Sequence, residues 1–295
     1  FVSREKQQLE LMMQSPEFSF AENAYNDLYQ HHPRAHINSV PADFDNINID
    51  HAIDYYKQRL GNMNGMHFFI AGNIKPDEIK MLLSKYIASI PGGEINTTYR
   101  DLKMIPKPGI NTFTYKKGKE KKSILSHYIF NTAKYDIDDA FYLNFLNEIL
   151  NNKIIDTIRE AMSAIYGGGI GGGLQKIPSE RYMLQSNFPC GPENVDKVDK
   201  AFWEIIASIK KPGGISDNDL AKARKPLLER NKARVKTNPF WVGILQDAEK
   251  NGYSPERILT YDERINAITP EKMMEIANKY YTRENVYTAI LLPEN

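Results

Sequence analysis

The sequence predicts an α+β fold in which helices cover a mainly antiparallel sheet. Most segments carry helix patterns, the strand candidates are few and short, and strands do not alternate regularly with single helices. A doubly wound parallel sheet needs that alternation, so the sequence disfavours it. With 295 residues, of which 41% are hydrophobic, the chain is long enough to bury the cores of two domains.

Helix starts are marked by capping side chains that stand directly before a proline at the first helical position. These pairs are Ser15-Pro16, Asn238-Pro239, Ser254-Pro255 and Thr269-Pro270. Ser216 and Asp219 have the spacing of a capping box. Two helical segments carry an apolar stripe that is expected to pack in a core. The stripes are Ile79, Leu82, Leu83, Tyr86 and Ile90, and Val195, Val198, Phe202, Ile205 and Ile209.

Six short segments rich in β-branched and aromatic residues are predicted to be strands. They are residues 66–71, 112–116, 124–131, 166–174, 182–188 and 286–292. A lysine-rich stretch, residues 116–122, separates the second candidate from the third. We interpret it as the solvated tip of a hairpin between them.

An internal repeat suggests two related units. Residues 15–73 and residues 238–295 each show a proline-capped aromatic helix, a polar loop, a second helix and an apolar strand. We therefore expect residues 1–95 to be the C-terminal part of a first α+β unit whose early strands would precede Phe1. Residues 96–109, in a stretch rich in proline and glycine, are the predicted linker, and residues 110–295 are the second unit.

Charge composition gives no indication of a nucleic-acid or anionic-membrane partner. Lys and Arg total 38 against 37 Asp and Glu, a formal net charge of +1. Aromatic residues do not alternate with the lysines of residues 116–122, as they would in a single-strand binder. No apolar run approaches the length of a membrane span.

No metal site is predicted within this chain. The only cysteine, Cys190, rules out an internal disulfide and a cysteine-based zinc site, and we expect it to be a structural thiol. His32 and His36 have the i, i+4 spacing of zinc ligands on a helix. However, Pro33 disturbs such a helix, and Ala35 stands where an inverted zinc motif carries its glutamate. His67 and His127 are expected to be packed or edge residues of strands.

The glycine-rich residues 167–173 form the most distinctive local pattern. No Gly-Lys-Ser/Thr follows, so they do not form a phosphate-binding loop. A dinucleotide-binding fingerprint needs a preceding strand and a following helix, and here the order is reversed. Two interpretations remain: the run permits close approach of another backbone, or it is flexible punctuation.

Arg159 and Tyr166 lie seven positions apart, at the end of a predicted helix and beside the glycine run. A guanidinium and a phenol there could both donate hydrogen bonds to peptide carbonyls. The alternative is a helix-surface arginine in a salt bridge and a tyrosine at the start of a strand.

These residues resemble a segment of the insulinase/pitrilysin family of zinc metallopeptidases. The sequence Ile158-Arg159-Glu160, followed by residues 163–166, is similar to the family pattern L-R-E-x-x-G-x-x-Y, although Ala164 stands where the family usually has glycine. The order of elements downstream also matches, so the resemblance covers essentially the whole chain. It implies the C-terminal, metal-free half of such an enzyme.

The resemblance further implies substrate-binding roles for Arg159, Tyr166, Gly168 and Gly169, and no catalytic residue in this chain. Zinc and the glutamate that activates its water are expected in an N-terminal half with an H-x-x-E-H motif. Tyr166 would donate to the carbonyl where charge develops, and Arg159 would fix the peptide. Without that half, the chain is not expected to be active.

The implied partners are that catalytic half, in the same polypeptide or in a homologous subunit, and a peptide substrate. The alternative is a non-catalytic polypeptide-binding or scaffold subunit of the same fold. The resemblance weakly favours the periplasm or another exported location, with the cytoplasm left open. The substrate and the oligomeric state are not determined by the sequence.

Overall fold

A computed structural model describes residues 1–94 and 100–294. The helices are α1 Val2–Met12, α2 Pro16–Leu28, α3 Ile49–Leu60, α4 Pro76–Tyr86, α5 Ile137–Ile154, α6 Val195–Ile209, α7 Asp217–Arg234, α8 Asn238–Asn251, α9 Tyr261–Asn266 and α10 Pro270–Tyr280. The strands are β1 Ile110–Lys116, β2 Ser123–Thr132, β3 Gly169–Gln175, β4 Arg181–Cys190 and β5 Val286–Leu292. A π-helical turn, Ile155–Ala161, continues α5.

The predicted α+β class is confirmed. The five strands form one sheet in the order β1-β5-β2-β4-β3. The pairs β2–β5, β2–β4 and β3–β4 are antiparallel, and β1–β5 is parallel. The sheet is therefore mainly antiparallel, as the sequence predicts.

Both faces of this sheet are covered by helices. Leu125 and Ile129 of β2 join a core with α5, α6 and α10. Tyr128 and Phe130 of the same strand pack on the other face in a cluster that includes residues of α2. This alternation follows from the two-residue period of a strand, and it is why β2 lacks a polar face. The apolar stripe of α6, residues 195–209, is buried as predicted.

The described chain divides into two compact units. Unit 2 comprises residues 10–38, 104–230 and 259–295, and it contains the whole sheet. Unit 1 comprises residues 1–9, 39–103 and 231–258, and it contains α3, α4 and α8. The repeat boundary at residues 96–109 stays a prediction, and its residues 96–99 lie outside the described residues.

The capping predictions are confirmed for Ser15, Thr269 and Ser216. The predicted cap at Asn238 is wrong, because α8 already begins at Asn238 and Thr237 precedes it without a side-chain bond. Ser15 accepts the N–H of Phe18 at 3.3 Å. Thr269 accepts the N–H of Lys272 at 3.3 Å. Ser216 and Asp219 form the reciprocal capping box at the start of α7.

The predicted hairpin between the strands at 112–116 and 124–131 is wrong. β1 and β2 both pair with β5, which lies between them. Residues 116–122 cross the end of β5, where the N–H of Lys117 donates to the carbonyl of Leu292 at 3.0 Å. A connection of this length can span two strand spacings, about 10 Å, so the turn pattern alone did not fix the pairing.

Two predictions for unit 1 are wrong. Residues 66–71 form no strand, and the apolar stripe of α4 is not buried: Leu82 is 51% and Tyr86 59% exposed. A strand needs a hydrogen-bonded neighbour, and none of the described strands pairs with residues 66–71. His67 is accordingly exposed and lies 3.1 Å from Glu249, whereas His127 is packed in β2 as predicted.

Candidate peptide-binding site

Arg159 lies in the π-helical turn that follows α5. Single π turns are uncommon and occur often at functional sites. The Arg159 side chain is half-exposed, and its Nε lies 3.7 Å from Oε1 of Glu160. An exposed pair at this distance contributes little to stability, so the fold leaves the guanidinium available for a ligand.

Packing and ion pairs hold the π-helical turn in place. Ile158 is fully buried. Asp156 accepts Nζ of Lys222 on α7 at 2.9 Å, and one turn earlier Lys153 donates to Asp219 of α7 at 2.9 Å. Burial opposes ionisation of Asp219, but hydrogen bonds from Ser216 and Lys153 hold the pKa of Asp219 below its ordinary value. The burial of Ile158 and the ion pair between Asp156 and Lys222 therefore hold the turn that carries Arg159.

Ser163 adopts a left-handed backbone, with φ 48°. Counting along the family pattern from Arg159 places its glycine at Ser163. The expectation that Ala164 occupies that position is therefore corrected. Ala164 is buried, and its N–H donates to the carbonyl of Ile158 at 3.0 Å. Glycine adopts a positive φ without a steric penalty, whereas serine stores strain there.

Tyr166 has a fixed backbone and a free side chain. Its N–H donates to the carbonyl of Pro189 at 3.0 Å, and Ile165 forms a bridge with Cys190. The side chain is 71% exposed, and its hydroxyl makes no hydrogen bond within the described residues. The strand predicted from residue 166 begins only at Gly169, so Tyr166 lies on the approach to β3.

Gly168 and Gly169 lie where a side chain would not fit. Gly168 has φ 110°, and a Cβ there would collide with the carbonyl oxygen of Asn187. A Cβ on Gly169 would collide with the amide of Asn151. The first interpretation of the glycine run, close approach of another backbone, is therefore confirmed for Gly168, whereas Gly169 lies against a side chain.

The outer edge of β3 is closed by asparagines of α5. Asn151 accepts the N–H of Ile170 at 2.7 Å and donates to its carbonyl at 3.0 Å. Asn147 donates to the carbonyl of Gly172 at 3.0 Å. These side chains satisfy backbone groups that an edge strand otherwise offers to another strand. A peptide that pairs along β3 would have to displace them.

The predicted site residues are only partly brought together. Tyr166, Gly168 and Gly169 share one short segment. The guanidinium of Arg159 contacts Glu160 and makes no hydrogen bond to the phenol of Tyr166. The substrate-binding role of all four residues stays a prediction.

A groove of about 430 Å³ lies beside the π-helical turn. Its lining residues come from that turn and from α6: Thr157, Met162, Lys197, Lys200, Ala201, Glu204, Ile205 and Ser208. Arg159 is not part of this lining.

Among residues 1–94 and 100–294, no group of three His, Cys, Asp or Glu side chains is arranged to hold a metal ion. His31 bonds to Asn26 at 2.6 Å, and His36 to Glu22 at 3.1 Å. Both histidines are thus engaged in local hydrogen bonds. Every helix of the described residues is too short or too polar to cross a bilayer.

The structure assembles one polar triad that sequence reasoning missed. His127 Nδ1 lies 2.8 Å from Ser186 Oγ, and His127 Nε2 lies 2.7 Å from Asp199. Ser186 and His127 are fully buried, so no substrate reaches this hydroxyl, and the triad links β2 and β4 to α6. Ser186 and Asp199 lie 59 and 72 positions after His127, so no local sequence pattern indicated the triad.

Burial raises the pKa of Cys190 to about 11, which keeps the thiol protonated.

Solved structures share this fold. The periplasmic protease PqqL from Escherichia coli superposes with a TM-score of 0.84 at 18% identity, over 99% of this chain and 32% of that one. Pitrilysin superposes with a TM-score of 0.65 at 14% identity, over 98% and 30%. This chain therefore shares the fold of about a third of each of these two proteins.

The sequence comparisons identify the family. A family model described as the peptidase M16 inactive domain matches residues 46–227, and the chain belongs to that family. The probable zinc protease PqqL of Haemophilus influenzae is 23% identical over 252 residues, which are 84% of this chain and 26% of that protein. This chain thus spans about a quarter of that relative. The family is that of the predicted metal-free half, and the scaffold alternative is not favoured.

Proposed function

We propose that this inactive M16 domain binds the peptide substrate of a zinc peptidase whose catalytic half is a separate segment or subunit. Arg159 and Tyr166 are the proposed side-chain contacts, and Gly168 and Gly169 are proposed to contact the peptide through their backbone. The chain itself has no catalytic residue. Zinc, when bound in the catalytic half, supplies the activated water.

The proposal rests on one observation: the segment from Arg159 to Tyr166 presents a guanidinium and a phenol that make little contact with the rest of the fold. The π-helical turn and the positive φ of Ser163 are energetically costly backbone conformations. A backbone hydrogen bond fixes the position of Tyr166. Yet the guanidinium and the phenol that this backbone positions are both largely exposed. Strained backbone that presents unused polar side chains is typical of binding and catalytic sites.

The chemistry of the pair suits an extended polypeptide. The guanidinium of Arg159 can donate two parallel hydrogen bonds to a carboxylate, or single bonds to carbonyls. The phenol of Tyr166 can donate to a carbonyl oxygen on which charge develops. Because the asparagines of α5 cover β3, we propose that these side chains, rather than strand addition to β3, bind the substrate.

We also propose that unit 1 is completed by chain from the same peptidase. α3 and α4 contain no buried residue, although both carry apolar side chains. In the second repeat, the helix equivalent to α3 is α10, which buries Met273, Ile276, Ala277 and Tyr280. Strands of the preceding segment would cover the apolar faces of α3 and α4, with residues 96–109 as the linker.

The periplasmic protease PqqL from E. coli, which shares this fold, supports an exported location.

The test is kinetic and uses the peptidase assembled from this chain and its zinc-bearing half. Tyr166→Phe is expected to lower kcat about a hundredfold with little change in KM, because the donor acts mainly on the developing charge. Arg159→Gln is expected to raise KM, since it removes a contact made in the ground state.

Tyr142→Phe is the matched control, because its hydroxyl also makes no hydrogen bond within the described residues and it lies near the opposite end of α5. Thermal melting should be unchanged in all three variants. Wild-type kinetics for both Arg159→Gln and Tyr166→Phe would refute the proposed site.

A further inference from the structure

The residues between β1 and β2 form a basic segment, the lysine loop, residues 116–122. It contains five lysines and one glutamate, in a chain whose net charge is only +1. Lys122 forms an ion pair with Glu120. Lys119 and Lys121 are exposed, and neither has a carboxylate partner in the described part of the chain.

The fold fixes the position of this loop. Nζ of Lys117 donates to the carbonyl of Met13 at 2.8 Å and to Oγ of Ser19 at 3.1 Å. Gly118 has φ 92°, and a Cβ there would lie 2.7 Å from the ring of Pro16. The N–H of Glu294 donates to the carbonyl of Gly118 at 2.7 Å. Three anchors therefore hold the backbone while Lys119 and Lys121 stay free.

Strand register places the lysine loop beside Tyr166. Ile165 bridges to Cys190, and Cys190 pairs with Ser123, which directly follows Lys122. Two strand spacings, about 10 Å in total, therefore separate the backbone before Tyr166 from the end of the loop. The pKa of Lys122 is raised chiefly by Glu120, with smaller contributions from Glu17 and Tyr166.

We propose that the lysine loop is a subsite for acidic side chains of the polypeptide substrate. This inference rests on the proposed function, because it places the acidic segment next to a peptide held by Tyr166. Lys119 and Lys121 supply the unpaired charge, and Lys122 adds to it. Five lysines outnumber the nearby carboxylates Glu17, Glu120 and Glu294, so the local field favours an anionic ligand.

Preorganisation makes this subsite selective. The loop is already anchored, so binding requires the ordering of lysine side chains and not of backbone. Each exposed ion pair contributes only about 0.2–1 kcal/mol. Two such pairs give a preference of about two- to thirtyfold for acidic over neutral peptide, and the preference should fall as salt screens the charges.

The experiment compares two fluorescein-labelled extended peptides that differ only in Asp and Glu against Asn and Gln. Fluorescence anisotropy with this chain should give tighter binding of the acidic peptide at low ionic strength and equal binding at high ionic strength. Lys119→Gln/Lys121→Gln should abolish the preference and leave the affinity for the neutral peptide unchanged.

Lys134→Gln/Lys211→Gln is the matched control, since it removes the same charge from exposed lysines. Lys134 lies beyond the far end of β2, twelve positions after the end of the loop. The control should keep the preference. Equal affinities of wild type for both peptides would overturn the acidic subsite and leave the proposed function standing.

Binding of neither peptide would overturn both. Displacement of the acidic peptide by an unrelated oligonucleotide of equal charge, with equal affinity, would overturn the assignment to polypeptide.

Discussion

Backbone conformation at single residues decides how the segment from residue 163 to residue 172 is built. Ser163, Gly168 and Gly172 all have positive φ, and two of the three are glycines, as steric reasoning requires. The sequence shows the glycines, but it does not show which of them need their freedom. Gly171 and Gly173 lie in open space, so the run contains both required and permissive glycines.

Gly172→Ala tests this distinction. A Cβ there would collide with the carbonyl oxygen of Met183 at φ 100°. We expect a loss of about 2–4 kcal/mol in the free energy of unfolding of unit 2, from strain and overpacking. Urea titration followed by the fluorescence of Trp203 measures it. Gly173→Ala is the control and should be nearly neutral; equal losses in both variants would contradict the geometry.

Contacts between elements show how unit 2 fixes its helices around the sheet. Asp139 of α5 accepts Nζ of Lys279 and the hydroxyl of Tyr280, both on α10, at 2.5 Å. Burial by itself would raise the pKa of Asp139, but these two hydrogen bonds lower it below its ordinary value. Burial, together with the hydrogen bond to Asp139, raises the pKa of Tyr280. The bonds thus connect the N-terminal part of α5 to the last turn of α10.

The lowered pKa of Asp139 makes this link pH-dependent. A carboxyl whose folded pKa lies below its unfolded value adds stability above about pH 4, and the stability is lost as the pH falls through the folded pKa. Asp139→Asn is therefore expected to cost about 1–2 kcal/mol at pH 7 and progressively less below about pH 4.

Urea unfolding of unit 2 at a series of pH values measures the effect of Asp139→Asn, with Trp241→Phe as the background so that Trp203 alone reports. Glu204→Gln is the control, since Glu204 is exposed and lies 4.0 Å from Lys200. A cost for Asp139→Asn that stays constant with pH would show that the carboxylate charge is not involved.

The two units of the whole molecule differ in how much apolar surface they bury. Unit 2 surrounds its sheet with buried side chains, whereas α1, α3 and α4 bury none. Helices of that length gain most of their stability from packing. Local opening should therefore be easier in unit 1 than in unit 2.

Hydrogen exchange measured by mass spectrometry checks this difference. Amides of α3 and α4 are expected to exchange at least about a hundredfold faster than those of α5 and α10, since the latter open only with the core of unit 2. Addition of the catalytic half that is proposed to complete unit 1 should slow exchange in α3 and α4. Equal protection of α3 and α10 in this chain alone would contradict the inference.

The sequence by itself determined the fold class, five of the six strands, the capped starts of α2, α7 and α10, and the family resemblance. These follow from local chemistry, because side-chain period, capping and turn residues act over a few positions. The predicted site residues Arg159, Tyr166, Gly168 and Gly169 also come from one continuous segment.

Tertiary structure alone decided which strands are neighbours, which stripe is buried and which side chains stay free. β5 pairs between β1 and β2 although it lies more than 150 residues later in the chain, and the His127 triad joins residues 59 and 72 positions apart. The stripes of α4 and α6 have the same pattern, but only α6 has a sheet to cover. A local pattern shows which side chains a segment can bury. Whether they are buried depends on other segments of the chain that pack against it.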